Sequence, residues 1–276
     1  MKLTRNYKYK IALILSAFLF GTTFLVVKNL LTTMTSSNIV FWRYVLASIL
    51  FLIAGGIPNK ETSKDALPLG IFLWLGYILQ TEGLVTTSTI NSGVITAFYI
   101  VLTPLFARFF LNKKLTPKTA LRCSIGFTGI VLISYTAGAI VIGNVMTIAC
   151  AASYALHIVF VQKNLKNHNI FQLMFIQSLI GSILCIPFIS HSSFFPPLPA
   201  IKYLVFLGCA VNFGAFFLQL LGQRKVEASN AALLLSLEGV FATLLGIFFV
   251  GENLSFINWI GVFLVFVSIY LVISEK

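Results

Sequence analysis

Charge is what this chain has least of: 9% of its 276 residues are charged, and only seven are Asp or Glu. A soluble domain carries roughly 25% charged residues, so the deficit excludes an ordinary water-exposed surface. Cysteine is also scarce. Cys123, Cys150, Cys185 and Cys209 show no C-x-x-C spacing, and His157, His168 and His191 are equally scattered, so neither a metal or redox cluster nor a bound cofactor is expected. No glycine-rich phosphate loop or ATPase motif occurs, which removes nucleotide hydrolysis as a driving force. There is no low-complexity tract.

What the chain has instead is apolar length. Hydrophobic residues make up 58% of it and the mean hydropathy is +0.97. A helix needs roughly 20 apolar residues to cross a bilayer. Ten such stretches are legible, over residues 9–29, 37–55, 67–87, 91–111, 118–135, 141–162, 170–190, 199–222, 228–250 and 255–273. The joints carry turn chemistry, as in "GGIPNKETSKD" and "HSSFFPPLP". The fold class expected is an all-α integral membrane protein of ten transmembrane helices. The first run follows "MKLTRNYKYK" but is longer than the core of a secretory signal and lacks a small-x-small cleavage site, so it counts as a span.

The net charge of +12 raises nucleic acid as a partner. Its distribution argues otherwise. With the amino terminus in the cytoplasm, fifteen of the 19 Lys and Arg fall at the cytoplasmic face, only Lys28 and Lys202 at the other, and Arg43 and Arg108 inside spans. That is the positive-inside pattern. It places both termini in the cytoplasm and makes the lipid bilayer the partner, with no nucleic acid.

An internal repeat follows from sliding the chain by 139 residues, which aligns residues 80–115 with 219–254 without a gap. Gln80 then meets Gln219, Gly83 meets Gly222, Asn91 meets Asn230, Phe109 and Phe110 meet Phe248 and Phe249, and Leu115 meets Leu254. The expected units are residues 1–138 and 139–276, five helices each. Because five is odd, the second enters the membrane inverted, a plan in which the binding site lies between the halves near the midplane. Glu238 and its counterpart Tyr99 fall at that depth.

Polar side chains at helical spacing mark a central cavity, since a span surrounded by lipid has no use for a polar stripe. Ser16 and Thr23 share a face of the first span, Tyr77 and Gln80 of the third, Thr96, Tyr99 and Thr103 of the fourth, and Ser153, Tyr154 and His157 of the sixth. Asn212, Gln219 and Gln223 align on the eighth. The fifth and tenth spans are read as peripheral. The plain alternative is interhelical hydrogen bonding worth about 0.6 to 2 kcal/mol a pair.

Ionisable groups at depth are costlier. Arg43 and Glu82 lie at matching depths and are expected to form a structural ion pair. At 1.5 Å per residue, Glu238 lies roughly 15 Å and His157 roughly 8 Å from the cytoplasmic ends of their spans, so the two meet obliquely or through water. Both residue types suit proton exchange in a dry site, although Glu238 bonded to a backbone carbonyl is the alternative. Arg108 and Lys28 are expected to snorkel to the interfaces. Trp42 and Trp259 read as interface anchors, and Trp74 packs or lines the path. Pro104 and Gly239 are candidate bending points. Small residues in "ACAAS" and at Gly239, Ala242, Thr243 and Gly246 allow close helix approach.

Taken together, these residues resemble the drug/metabolite transporter superfamily, in its ten-helix EamA-type branch. "FLFGTTFLVVK" resembles the family's first span with Phe20 where Trp is usual, and "FWRYVLA" its second, making Arg43 the family arginine. "GYILQTEGLVTTSTINSGVITAFYIVLTPLFA" and "SYALHIVFVQK" are similar to the third, fourth and sixth spans. "LLGQRKVEASNAALLLSLEGVFATLLGIFFVGENLS" is similar to the eighth-to-tenth region, with Glu238-Gly239 where Glu-Pro is usual and Gly251-Glu252 kept. Lys113 replaces an acid common after the fourth span.

The resemblance implies an inner-membrane carrier, monomeric or weakly dimeric, that moves a small polar or amphipathic metabolite such as an amino acid or nucleotide-type compound by alternating access. The substrate-contacting candidates are Glu238, His157, Tyr99, Gln80, Asn212 and Gln219, with Tyr77, Tyr154 and Trp74 supplying aromatic contacts. Two rivals remain: an intramembrane hydrolase built on Ser153 and His157, one helical turn apart, and a passive channel.

Overall fold

The computed structural model describes residues 4–133, 142–191, 194–251 and 255–273. Among these residues there are ten helices and no strand. They are α1 (Thr4–Leu30), α2 (Ser36–Gly55), α3 (Lys60–Thr86), α4 (Thr89–Leu111), α5 (Pro117–Ile133), α6 (Ile142–Asn164), α7 (Ile170–Cys185), α8 (Leu198–Gln223), α9 (Ala228–Val250) and α10 (Phe256–Ile273). Eight stretches are long and apolar enough to cross a bilayer, α7 when continued through its 3-10 turn to Phe188; α5 and α10 are not among them within the described residues. The predicted end of the fifth span at residue 135, and Glu252, lie outside the described residues.

Local chemistry sets the ends. Asn59, Ser88 and Asn169 each accept a hydrogen bond from a backbone N–H in the first turn of α3, α4 and α7. The Asn59 cap, with Glu61 in the first turn, starts α3 seven residues before the predicted apolar run, because a capped amphipathic turn continues the helix beyond the lipid. At the far end of α3 the Lys28 ammonium donates to the carbonyls of Leu84 at 2.6 Å and Thr87 at 2.9 Å. Lys28 was expected to snorkel into the interface. It is part-buried instead, because the open carbonyls and negative dipole end of α3 are a better partner than lipid headgroups.

α4 and α9 are each broken in the middle. α4 consists of Thr89–Thr96 and Tyr99–Leu111, and α9 of Ala228–Leu235, Leu237–Leu245 and a π-helical end, Gly246–Val250. The breaks fall at Ala97–Phe98 and at Ser236, where i→i+3 bonds such as Phe98 N–H to Ile95 O and Gly239 N–H to Ser236 O tighten the turn. Pro104 and Gly239 were the expected bending points, yet Pro104 sits inside the second piece of α4 and Gly239 follows the break. The 139-residue offset relates the two helices structurally. Their starting caps at Ser88 and Glu227, their breaks at Ala97 and Ser236, and their left-handed end caps at Asn112 (φ 51°) and Gly251 (φ 75°) all coincide.

Packing then brings these helices together. The Lys113 Nζ beyond the end of α4 lies 2.8 Å from Glu227 Oε1 at the start of α9, so the two run antiparallel. A Cβ on Gly93 of α4 would lie 2.5 Å from the Ala242 Cβ of α9, and one on Gly239 would lie 3.1 Å from the Gly93 carbonyl oxygen. α1 closes on the same region, because Gly21 faces Phe241. α3 packs along α6, with Gly76 beneath the Tyr154 ring and Gly83 against the Gly143 backbone. α5 and α10 pair with each other and pack against α4 and α9; a Cβ on Gly126 of α5 would lie 2.6 Å from Ile100 Cδ1 of α4.

The α4–α9 crossing leads to a size-swap test. Gly93→Ala is expected to destabilise the detergent-purified protein by about 1–3 kcal/mol through overpacking, and Ala242→Gly added to it should restore most of the loss in a thermal-unfolding assay. A Gly93→Ala protein as stable as the parent would place the crossing elsewhere.

Candidate functional site

Six helices converge on one cavity at the level of the two breaks. α1 contributes Phe20 and Thr23, and α3 contributes Tyr77 and Gln80. Tyr99 of α4 and Glu238 of α9 enter directly after their helix breaks. α6 adds Tyr154, His157 and Ile158, α8 adds Phe216 and Gln219, and α9 also presents Leu235. The free space including its mouth is about 440 Å³, but the centres of water molecules have only about 40 Å³. One water needs roughly 10–15 Å³ by that measure, so a few waters fit and a metabolite does not. Occupancy requires the helices to part.

Rings form a continuous wall. Phe20 packs edge-on against Phe216 at 4.9 Å between centroids, and Tyr77 lies 6.0 Å from both Phe216 and Tyr154. The polar groups divide into satisfied and unsatisfied. Gln80 donates to Thr96 Oγ1 and accepts from the Tyr154 hydroxyl. Gln219 donates to Gln223, whose amide in turn donates to the Ile158 carbonyl at 2.9 Å. His157 Nε2 bonds Gln177 Oε1 at 2.7 Å, joining α6 to α7. By contrast Thr23 Oγ1, the Tyr99 hydroxyl and Glu238 Oε1 are buried without a well-formed hydrogen bond. Glu238 is 4% exposed, and Tyr99 is its polar neighbour.

Of the nine residues read from the sequence as substrate contacts, Glu238, His157, Tyr99, Gln80, Gln219, Tyr77 and Tyr154 line this cavity. Asn212 and Trp74 do not. Asn212 was aligned with Gln219 on the assumption of α-helical geometry, but α8 is π-helical from Phe206 to Ala215. The wider turn rotates Asn212 away from the Gln219 face. Trp74 lies on the side of α3 that meets the end of α7, with its ring 6.3 Å from Phe188.

The expected Arg43–Glu82 ion pair is absent. Arg43, fully buried, donates from Nε to Asn212 Oδ1 at 2.8 Å and from Nη2 to the Tyr77 hydroxyl at 3.3 Å, and its guanidinium lies 4.2 Å from the Tyr77 ring centre. Glu82 is partly exposed, and among the described residues no salt bridge joins it to Arg43. The reason is angular: Glu82 is five residues beyond Tyr77, roughly 140° around the helix, so Arg43 cannot face Tyr77 and Glu82 together. Depth was matched; direction was not. The Ser153–His157 dyad of a hydrolase is likewise not assembled, because the Ser153 hydroxyl donates to the Ala149 carbonyl and His157 faces Gln177.

Five lining residues were not among the substrate candidates: Phe20, Thr23, Ile158, Phe216 and Leu235. Thr23 had been placed on the polar face of α1. Phe216 precedes Gln219 by three residues and so shares its face, but one ring among 27 phenylalanines carries no signal by itself.

Comparison with known proteins follows this geometry. The model of the EamA-like transporter family matches residues 8–135 and again 141–274. An uncharacterized transporter of Archaeoglobus fulgidus is 30% identical over 264 residues, covering 95% of this chain and 84% of that one. The uncharacterized transporter YetK of Bacillus subtilis is 26% identical over 250 residues, covering 84% of this chain and 75% of its own. An S-adenosylmethionine uptake transporter of Rickettsia bellii is 26% identical over 235 residues, covering 82% of this chain and 79% of its own. One crystal structure superposes with a TM-score of 0.75 at 16% identity, covering 94% of both chains, and speaks for the fold alone.

Asn212 is the only side chain accepting from the Arg43 Nε. Asn212→Leu should therefore leave a buried cationic donor unmatched and cost roughly 2 kcal/mol, read as a lowered melting temperature in detergent. Glu82→Gln should leave that temperature unchanged.

Proposed function

The chain belongs to the EamA-like transporter family, and on that premise we propose that it is a secondary-active carrier of a small polar or amphipathic metabolite, working by alternating access. The observation that carries this reading is the narrow cavity, lined by the two broken helices and by four others. A static binding protein has no need for a site that excludes its ligand. A carrier passes through such a state between its two openings.

The two halves, residues 1–138 and 139–276, act as inverted five-helix repeats in this reading. Support comes from the double match of the family model, the 139-residue coincidence of caps and breaks, and the antiparallel run of α4 and α9. The Lys113–Glu227 bridge ties the halves at the face assigned to the cytoplasm, where the basic loops cluster. It is an exposed pair worth little in stability, which suits a contact that must break in each cycle. The protein sits in the inner (cytoplasmic) membrane with both termini cytoplasmic, as a monomer or weak homodimer. The S-adenosylmethionine transport named for the Rickettsia bellii relative brings nucleoside-bearing amphipathic solutes into the range to be tried here.

Counterflow in proteoliposomes, screened across amino acids, nucleosides and nucleotides, tests the reading. Saturable exchange is expected, reduced at least about tenfold by Glu238→Gln, in line with loss of a charge-assisted contact. Flux that never saturates would favour a channel. Absence of exchange for every solute in vesicles that hold folded protein would overturn the carrier.

A further inference from the structure

The cavity's own chemistry narrows the solute, on the premise that it is the transport site. Its lining holds one acid, Glu238, and no lysine or arginine. The three lining side chains with an unsatisfied atom, Thr23, Tyr99 and Glu238, all present oxygen. His157 is engaged with Gln177, and the two lining glutamines with Gln223 and Thr96. The Thr23 and Tyr99 hydroxyls can donate or accept, but no cationic group in the lining offers itself to an anion. The same cavity is lined by the connected rings of Phe20, Phe216, Tyr77 and Tyr154. Electron-rich ring faces attract cations, most strongly when desolvated.

We propose that this cavity takes a monovalent organic cation, an ammonium or related onium group carried on an apolar or aromatic body, with the charge at Glu238 and the body against the rings. Each part follows from cost. A buried carboxylate with no cation among its neighbours is neutralised either by a proton or by its ligand's charge. An anionic solute would add like charge to the same space. Arg43 is not part of the lining: its Nε and Nη2 bond Asn212 and the Tyr77 hydroxyl, its guanidinium lies over the Tyr77 ring, and its Nη1 is left without a partner behind that ring. When a cation replaces a proton on Glu238, the net charge around Arg43 is the same before and after. The aromatic wall excludes small hydrated metal ions, which lose more hydration than three oxygens return.

The test uses the full-length protein in detergent and in proteoliposomes. Tritiated benzyltrimethylammonium should bind saturably. Choline should displace it, whereas benzylsulfonate and benzyl alcohol, the anionic and neutral counterparts, should not. Glu238→Gln should weaken binding at least about tenfold. A second measurement needs no variant: carbodiimide modification of Glu238, read by mass spectrometry, should be blocked by benzyltrimethylammonium and not by benzylsulfonate. Equal affinity in a folded Glu238→Gln protein, or equal protection by the anion, would overturn the assignment. Counterflow in the same vesicles separates the two readings. Exchange confined to anionic solutes, without onium binding, removes the cation and leaves the carrier. Onium binding without exchange of any solute removes the carrier and leaves the site.

Discussion

The structure depends on a near-contact between two backbones. Where α4 crosses α9, a carbon added at Gly93 would lie 2.5 Å from the Ala242 Cβ, and one added at Gly239 would lie 3.1 Å from the Gly93 carbonyl oxygen. In lipid there is no hydrophobic drive pressing apolar helices together, so association rests on close van der Waals fit and on small residues at the seam. The same crossing fixes where the breaks lie. Tyr99 and Glu238 follow their breaks and so emerge on the side of the crossing where α1, α3, α6 and α8 leave a hollow.

Hydrogen-bond partners divide the buried polar side chains into those that join helices and those that face the cavity unbonded. Most buried polar side chains here serve packing. Ser16 donates to the Ala215 carbonyl on α8, Thr243 to Gly239 one turn back, and Ser268 to the Arg122 carbonyl on α5. Arg43, although charged and fully buried, also belongs largely to the architecture. It holds α2 to α3 and α8 through Tyr77 and Asn212, replacing a carboxylate with an amide oxygen and a ring face. Unsatisfied atoms are rare in folded proteins because each forfeits desolvation energy. Among the described residues ten buried side-chain atoms lack a partner, Arg43 Nη1 and Asn212 Nδ2 included, and three of them, on Thr23, Tyr99 and Glu238, meet in one cavity.

Much of this was legible in the sequence, for reasons of scale. Helix number, the six helices that face inward and the twofold internal similarity all rest on patterns spread over twenty or more residues, so a local error barely moves them. What failed rested on one assumption about direction or one helical repeat. Arg43 and Glu82 match in depth but differ by a rotation that composition cannot reveal. Asn212 left the Gln219 face because ten residues of α8 wind as a π-helix, and no residue in "FLGCAVNFGA" announces it. Lys28 was read against lipid when the deciding partner, the open end of α3, is 56 residues away in sequence. The breaks escaped because proline and glycine were taken as their cause.

That last point bears on how the protein could move. A proline kink is built in covalently and persists in every state. The breaks at Ala97–Phe98 and Ser236 are held by ordinary residues in i→i+3 turns, so helical geometry can be regained there without breaking a ring constraint. Ser236 completes its turn by donating its own hydroxyl to the Leu233 carbonyl, a local bond that can be exchanged for a backbone one. In the carrier reading proposed above, these two turns bound the cavity that must open, and the side chains set directly after them are Tyr99 and Glu238.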